Sequence, residues 1–189
     1  MNVGVLALQG AFREHRQALE RLGASVTEVR LPQDLAGLQG VIIPGGESTT
    51  MAKLMKIYEL DTGLKTYYEE GGAIWGTCAG AIVIAKDLLK HPEQPRLEIM
   101  DIDVERNAYG RQVDSFEVDV PVEGLDAPFR TFFIRAPRIA RVGEGLETLA
   151  EFQGDPIMVK GERLLATVFH PELSGDDRVH QLFLENIIP

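Results

Sequence analysis

A single cysteine, Cys78, stands in the 189 residues, so no internal disulfide can form. That absence suits a reducing compartment, and the expected location is the cytoplasm. No apolar run approaches the roughly 18 residues that span a bilayer. Residues 2–8 are apolar, but no basic segment precedes them and the first Arg is Arg13, so the pattern of a secretory leader is missing. Basic charge is also short. Lys plus Arg is 19 against 29 Asp plus Glu, a net charge of -10, which argues against nucleic acid or an anionic membrane as partner. Repeats, low-complexity tracts and linkers are absent as well. What remains is an ordinary globular composition, 44% hydrophobic and 25% charged. The length favours one domain over residues 1–189, with a core large enough to need no staples.

The apolar pattern alternates between strand and helix. Asn2–Leu8 is a short Val-containing run that reads as a buried strand, and Phe12–Leu22 has helical spacing with a Gly23 stop. Ala24–Arg30 alternates as a strand does, and Val41–Ile43 is a third short run ending in Pro44-Gly45-Gly46. Ser48–Glu70 reads as helix broken near Asp61–Gly63, Ala73–Trp75 as a fourth strand and Gly80–Leu89 as a helix. Such alternation predicts an α/β fold with a parallel sheet covered on both faces. From Ile99 the texture changes. Ile99–Glu105, Phe116–Val120, Phe129–Ile134, Arg138–Val142, Thr148–Phe152, Ile157–Lys160 and Leu164–Phe169 read as strands without long helices between them, so antiparallel strands are expected here. Asp176–Ile187 should be a closing helix.

Gly76-Thr77-Cys78-Ala79-Gly80 lies between an apolar strand and a helix, where a nucleophile elbow belongs. The turn is tight enough that positions two before and two after the nucleophile must be small, and both are Gly. Free N–H groups at the helix start favour a thiolate and an oxyanion, and the Ala79 N–H would be one oxyanion donor. A lone Cys is more often a buried structural thiol, but the flanking glycines and the strand–turn–helix setting reverse that reading.

A thiol nucleophile needs an imidazole to take its proton and return it to the leaving amine. Of four His, His15 falls in the first helix, His180 in the last and His91 in a loop before Pro92. His170 follows the strand Leu164–Phe169, at the sheet edge where functional groups of open α/β sheets gather. In His170-Pro171-Glu172, Pro171 disfavours helical geometry at His170. In an extended stretch residues i and i+2 share a side, so Glu172 can approach Nδ1 and leave Nε2 facing Cys78, as nucleophile, base and orienting carboxylate require. Taken alone, His-Pro-Glu fits a surface turn equally well.

Pro44-Gly45-Gly46-Glu47-Ser48-Thr49-Thr50 follows the third strand. Paired glycines allow close backbone approach, and an N–H from the Gly45–Gly46 loop would complete the oxyanion hole. The loop lacks the Gly-Lys ending of a phosphate-binding P-loop, and no strand is followed by a Gly-x-Gly-x-x-Gly fingerprint. A plain turn with a Ser or Thr helix cap is the modest alternative.

The Gly-Gly loop, the elbow and His-Pro-Glu together resemble the triad-type (class I) glutamine amidotransferases, over nearly the whole chain. More narrowly, the chain resembles the glutaminase subunits of the deoxyxylulose-independent pyridoxal 5′-phosphate synthases. The segments that carry this are Leu6-Ala7-Leu8-Gln9-Gly10-Ala11-Phe12 with Glu14-His15, Pro44 to Thr50, Arg106-Asn107-Ala108-Tyr109-Gly110-Arg111-Gln112, Phe133-Ile134-Arg135-Ala136-Pro137 and His170-Pro171-Glu172-Leu173. Ser174 departs from the Thr common in that family. The resemblance implies a three-layer flavodoxin-like fold, mostly parallel with additional antiparallel strands. It implies L-glutamine contacts at Gly46, Glu47, Ser48, Arg106, Ile134 and Arg135, and a docking role for the first loop around Gln9-Gly10. It implies no metal or organic cofactor. The implied partner is a (β/α)₈ synthase subunit that combines the ammonia with pentose and triose phosphates, twelve copies of each subunit forming the complex. Two other readings stand beside it: a glutaminase of another pathway, such as imidazole glycerol phosphate synthesis, and a non-catalytic interaction module, against which the intact triad argues.

Overall fold

The computed structural model describes residues 1–106 and 115–189, so positions 107–112 of the Arg106–Gln112 motif lie outside the described residues. In chain order the elements are β1 (Asn2–Leu6), α1 (Phe12–Arg21), β2 (Ser25–Val29), β3 (Gly40–Ile43), α2 (Ser48–Ile57), α3 (Leu60–Glu69), β4 (Ala73–Thr77), α4 (Ala79–Ile84) and β5 (Ala85–Leu89). They continue with β6 (Met100–Glu105), β7 (Phe116–Val120), β8 (Phe129–Phe133), β9 (Arg138–Val142), β10 (Glu147–Phe152), β11 (Asp155–Lys160), β12 (Leu164–Thr167) and α5 (Arg178–Leu182), which runs on as π-helix over Phe183–Ile187.

The main sheet has seven strands in the order β10-β11-β12-β4-β3-β1-β2. The five from β12 to β2 are parallel, and β11 and β10 extend the sheet antiparallel. Every residue of β3, β4 and β12 is buried, which is why these strands read as unbroken apolar runs. At the edge, β2 buries only its last residue and so shows alternation instead. Helix α1 packs against α5, and α2 against α3 and α4, two groups that cover the sheet. A three-stranded sheet β5-β6-β9 and a hairpin β7-β8 complete the described chain.

Three expectations need correction. The helix expected over Gly80–Leu89 stops at Ile84, and Ala85–Leu89 is a strand pairing parallel with β6. All six residues of α4 are buried, so it has no polar face, and the apolar spacing that suggests a longer helix is equally that of a strand edge satisfied by tertiary pairing. The break expected at Asp61–Gly63 falls earlier, at Glu59, which takes left-handed φ of 58°. Gly63 instead lies within α3, where a side chain would stand 3.2 Å from Pro32 Cβ; it permits close helix approach rather than a turn. Third, the last helix begins at Arg178 and changes to π geometry at Phe183.

Candidate active site

The connections after β1, β3, β4 and β12 leave from one edge of the sheet, the carboxyl ends of its parallel strands. Thr77 and Thr167 are register partners at that edge, and the Cys78 N–H donates to the Thr167 carbonyl at 2.7 Å. The elbow and the end of β12 are thus tied together before any side chain is considered. Cys78 sits at φ 49°, ψ −103°, a region that costs a non-glycine residue about 1–3 kcal/mol and that turns the thiol out of the sheet. Close packing holds it there. A Cβ on Gly76 would stand 2.5 Å from the Gly80 carbonyl group, and one on Gly80 2.0 Å from Ile43 O, so both positions exclude larger residues.

His170 is anchored by its own N–H, which donates to Phe132 O at 2.8 Å. Its Nδ1 lies 2.7 Å from Glu172 Oε1. The route differs from the expected extended strand: Pro171–Leu173 is a 3₁₀ turn, and that turn brings the carboxylate back under the ring. Burial opposes a charge on His170, but hydrogen bonds to Cys78 and Glu172 outweigh it and push the imidazole up to about 10. Glu172 is held below the ordinary carboxylate range. Burial works against this, and His15 and His170 on either side overcome it.

In front of Cys78 is a cavity of about 220 Å³, lined by Gly46, Glu47, Ser48, Cys78, Ala79, Ile82, Arg106, Ile134, Arg135, Pro137 and His170. The six positions named from the resemblance as glutamine contacts all lie on its wall. A larger cavity of about 620 Å³ opens elsewhere, between Pro32–Gln39, α3 and Pro189, and contains none of these residues.

Helix α2 is capped by Glu47, not by the Ser or Thr expected. Its carboxylate accepts from the N–H groups of Thr49 and Thr50 at 3.1 and 2.7 Å. Against its desolvation, these bonds and the Thr50 hydroxyl lower Glu47 to about 2. The preceding glycines are gripped by the first loop. Gly45 O accepts from Ala11 N–H at 3.2 Å, and Gln9 Oε1 accepts from Glu47 N–H at 3.0 Å. Gly10, at φ 88°, lies so close that a Cβ there would be 1.8 Å from Gly45 O.

Two groups of residues at the site were not singled out from sequence. Gln94 Oε1 accepts from Arg106 at 2.8 Å and faces Thr49 Oγ1 at 3.5 Å, so it fixes the arginine at the cavity wall; a glutamine in a polar loop carries no signal of this. His15, His180 and Thr77 are buried behind Glu172. Here a signal did exist, because His15 shares a face of α1 with buried Ala18 and Leu19 at helical spacing.

A strained thiol at a strand–helix elbow, beside an imidazole bonded to a carboxylate on a flavodoxin-like sheet, defines the class I glutamine amidotransferase architecture. Residues 5–189 match the SNO glutamine amidotransferase family, and the chain belongs to it. It is 56% identical over 188 residues to "Pyridoxal 5′-phosphate synthase subunit PdxT" of Deinococcus radiodurans, covering 97% of this chain and 96% of the relative. It is 55% identical over 184 residues to the protein of the same name from Thermus thermophilus, with the same coverage. Among solved structures it superposes on a "glutamine amidotransferase" with TM-score 0.93 and 53% identity, covering 97% of each chain.

Proposed function

We propose that this chain is the glutaminase subunit of a pyridoxal 5′-phosphate synthase, acting as one domain over residues 1–189. The observation that supports it best is the meeting of Cys78, His170 and Glu172 at one end of an amino-acid-sized cavity, in a chain that aligns end to end with synthase subunits. His170, hydrogen-bonded to Cys78 and Glu172, takes the thiol proton as the reaction begins. The thiolate attacks the glutamine Cδ, forming the C–S bond. Oxyanion charge goes to the N–H groups of Ala79 and Gly46. On collapse the C–N bond breaks and His170 gives its proton to the departing ammonia. Water, deprotonated by the now neutral His170, then hydrolyses the glutamyl thioester to glutamate and restores the thiol. No metal or organic cofactor enters the scheme. Arg106 and Arg135 suit the substrate α-carboxylate, and the Glu47 carboxylate its α-ammonium.

The partner is a (β/α)₈ synthase subunit in a cytoplasmic complex of twelve plus twelve chains, and the first loop is part of its docking surface. Because Gly45 O is held by Ala11 N–H, and the peptide is trans, the Gly46 N–H points away from that loop. Gln9 and Gly10 are therefore in a position to set which end of this peptide serves the site. Among the described residues no helix is long and apolar enough to cross a membrane.

The test is Cys78→Ala in the assembled complex. Glutamine-dependent product formation should vanish while ammonium-dependent formation persists, since this chain supplies only nitrogen. Glutamine turnover by the folded variant would remove the reading.

A further inference from the structure

We propose that His15 and His180 are positioning residues for the reaction: His180 sets the tautomer of His15, and His15 donates its Nε2 hydrogen to the second oxygen of Glu172. The inference rests on the triad reading above and extends it by two residues.

Glu172 has two oxygens, and His170 uses only Oε1. Among the described residues Oε2 is buried without a hydrogen-bond partner, and His15 Nε2 stands 3.4 Å from it. The same nitrogen is 3.2 Å from Thr77 Oγ1, so it faces the strand end and the carboxylate together. On the other side of the ring, His15 Nδ1 meets His180 Nε2 at 2.9 Å. One of those two nitrogens must carry the hydrogen and the other must accept it.

Two independent facts decide which. Among the described residues, His180 Nδ1 is buried without a hydrogen-bond partner. A hydrogen placed there would be a buried donor with no acceptor, so we place the hydrogen on Nε2, pointing at His15 Nδ1. His15, as an acceptor at Nδ1, then carries its own hydrogen on Nε2. The opposite tautomer would set a lone pair against the Glu172 carboxylate. Burial lowers both imidazoles, which keeps them neutral. Edge-on contacts of Trp75 with His15 and His180, at ring separations of 5.6 and 5.0 Å, fix the ring planes. The donors therefore run one way, from His180 through His15 to Glu172, while His170 donates from the far side. A carboxylate held from both sides cannot swing, and it keeps His170 Nε2 directed at Cys78.

The test uses the full chain assembled with its synthase subunit. His15→Leu should lower kcat about 10-fold or more with KM for glutamine unchanged, the scale expected when a group that orients a reacting ligand is lost. His15→Gln, whose amide nitrogen reaches the same place, should recover most of kcat although its thermal stability falls as much as that of His15→Leu. Equal loss of kcat in the two folded variants, or no loss in either, overturns the proposal; turnover by Cys78→Ala would instead overturn the triad reading. If neither variant folds, nitrogen NMR of the histidine-labelled wild-type chain decides. A neutral His15 protonated at Nε2 is expected, and protonation at Nδ1 or at both nitrogens overturns it.

Discussion

Gly45→Ala adds one methyl group at the point where the proposed oxyanion loop touches His170, the proposed base. The added Cβ would stand 2.5 Å from His170 Cε1, 3.1 Å from Nδ1 and 3.4 Å from Cys78 Cβ. Gly45 is not in the left-handed region, so the backbone accepts alanine and the effect is steric alone. Carbon atoms rest at about 3.5–4.0 Å, so the imidazole must retreat by about 1 Å. It cannot retreat freely, because Nδ1 is held at 2.7 Å by Glu172. Misplacement of about 1 Å at a reacting group costs on the order of 10²-fold in rate. The expected result in the assembled complex is a fall of about 10² in kcat for glutamate release, with ammonium-dependent synthesis unchanged. Alkylation by a glutamine analogue should still give one adduct on Cys78, formed more slowly. A folded Gly45→Ala enzyme whose kcat is within about threefold of wild type would refute the packing argument, since it would mean that the ring moves without consequence.

Gly80→Ala should destabilise the chain by about 3 kcal/mol in urea unfolding, because its Cβ meets the Ile43 backbone, which cannot yield; a loss under about 1 kcal/mol would show the elbow to be loosely packed. Glu172 titrates below its usual value when folded, so its ionised form adds stability that is present above its ordinary value of 4.5 and is lost as the pH falls through the lower folded value. The Tm gap between wild type and Glu172→Gln should accordingly close on acidification, and a gap constant from about pH 7 to 3 would contradict this linkage. For Gln9→Ala, which loses the bond to Glu47 N–H, activation of glutamate release by saturating synthase subunit should be weakened. Normal activation would remove Gln9 from the control proposed for the Gly45–Gly46 loop.

The chemistry of this protein was legible where local sequence dictates local geometry. The glycines at 76 and 80 announce a turn that only small residues can make, and the apolar runs of β1, β3, β4 and the strand before His170 announce a parallel sheet, because strands buried on both faces need apolar side chains throughout. The order of these pieces was enough to single out Cys78, His170 and Glu172, which the fold brings together. Whatever depends on which distant segments meet was not legible. Ala85–Leu89 became a strand because β6 lay beside it, not through any periodicity of its own. Glu172 reaches His170 by a 3₁₀ turn, since the end of β12 is fastened to β4 and to Phe132. Gln94 and Arg106 meet across 12 positions, and His15 and His180 across 165. Contacts at such separations come from packing one element on another, and only the tertiary structure could decide that the two remaining helical histidines stand in line behind Glu172.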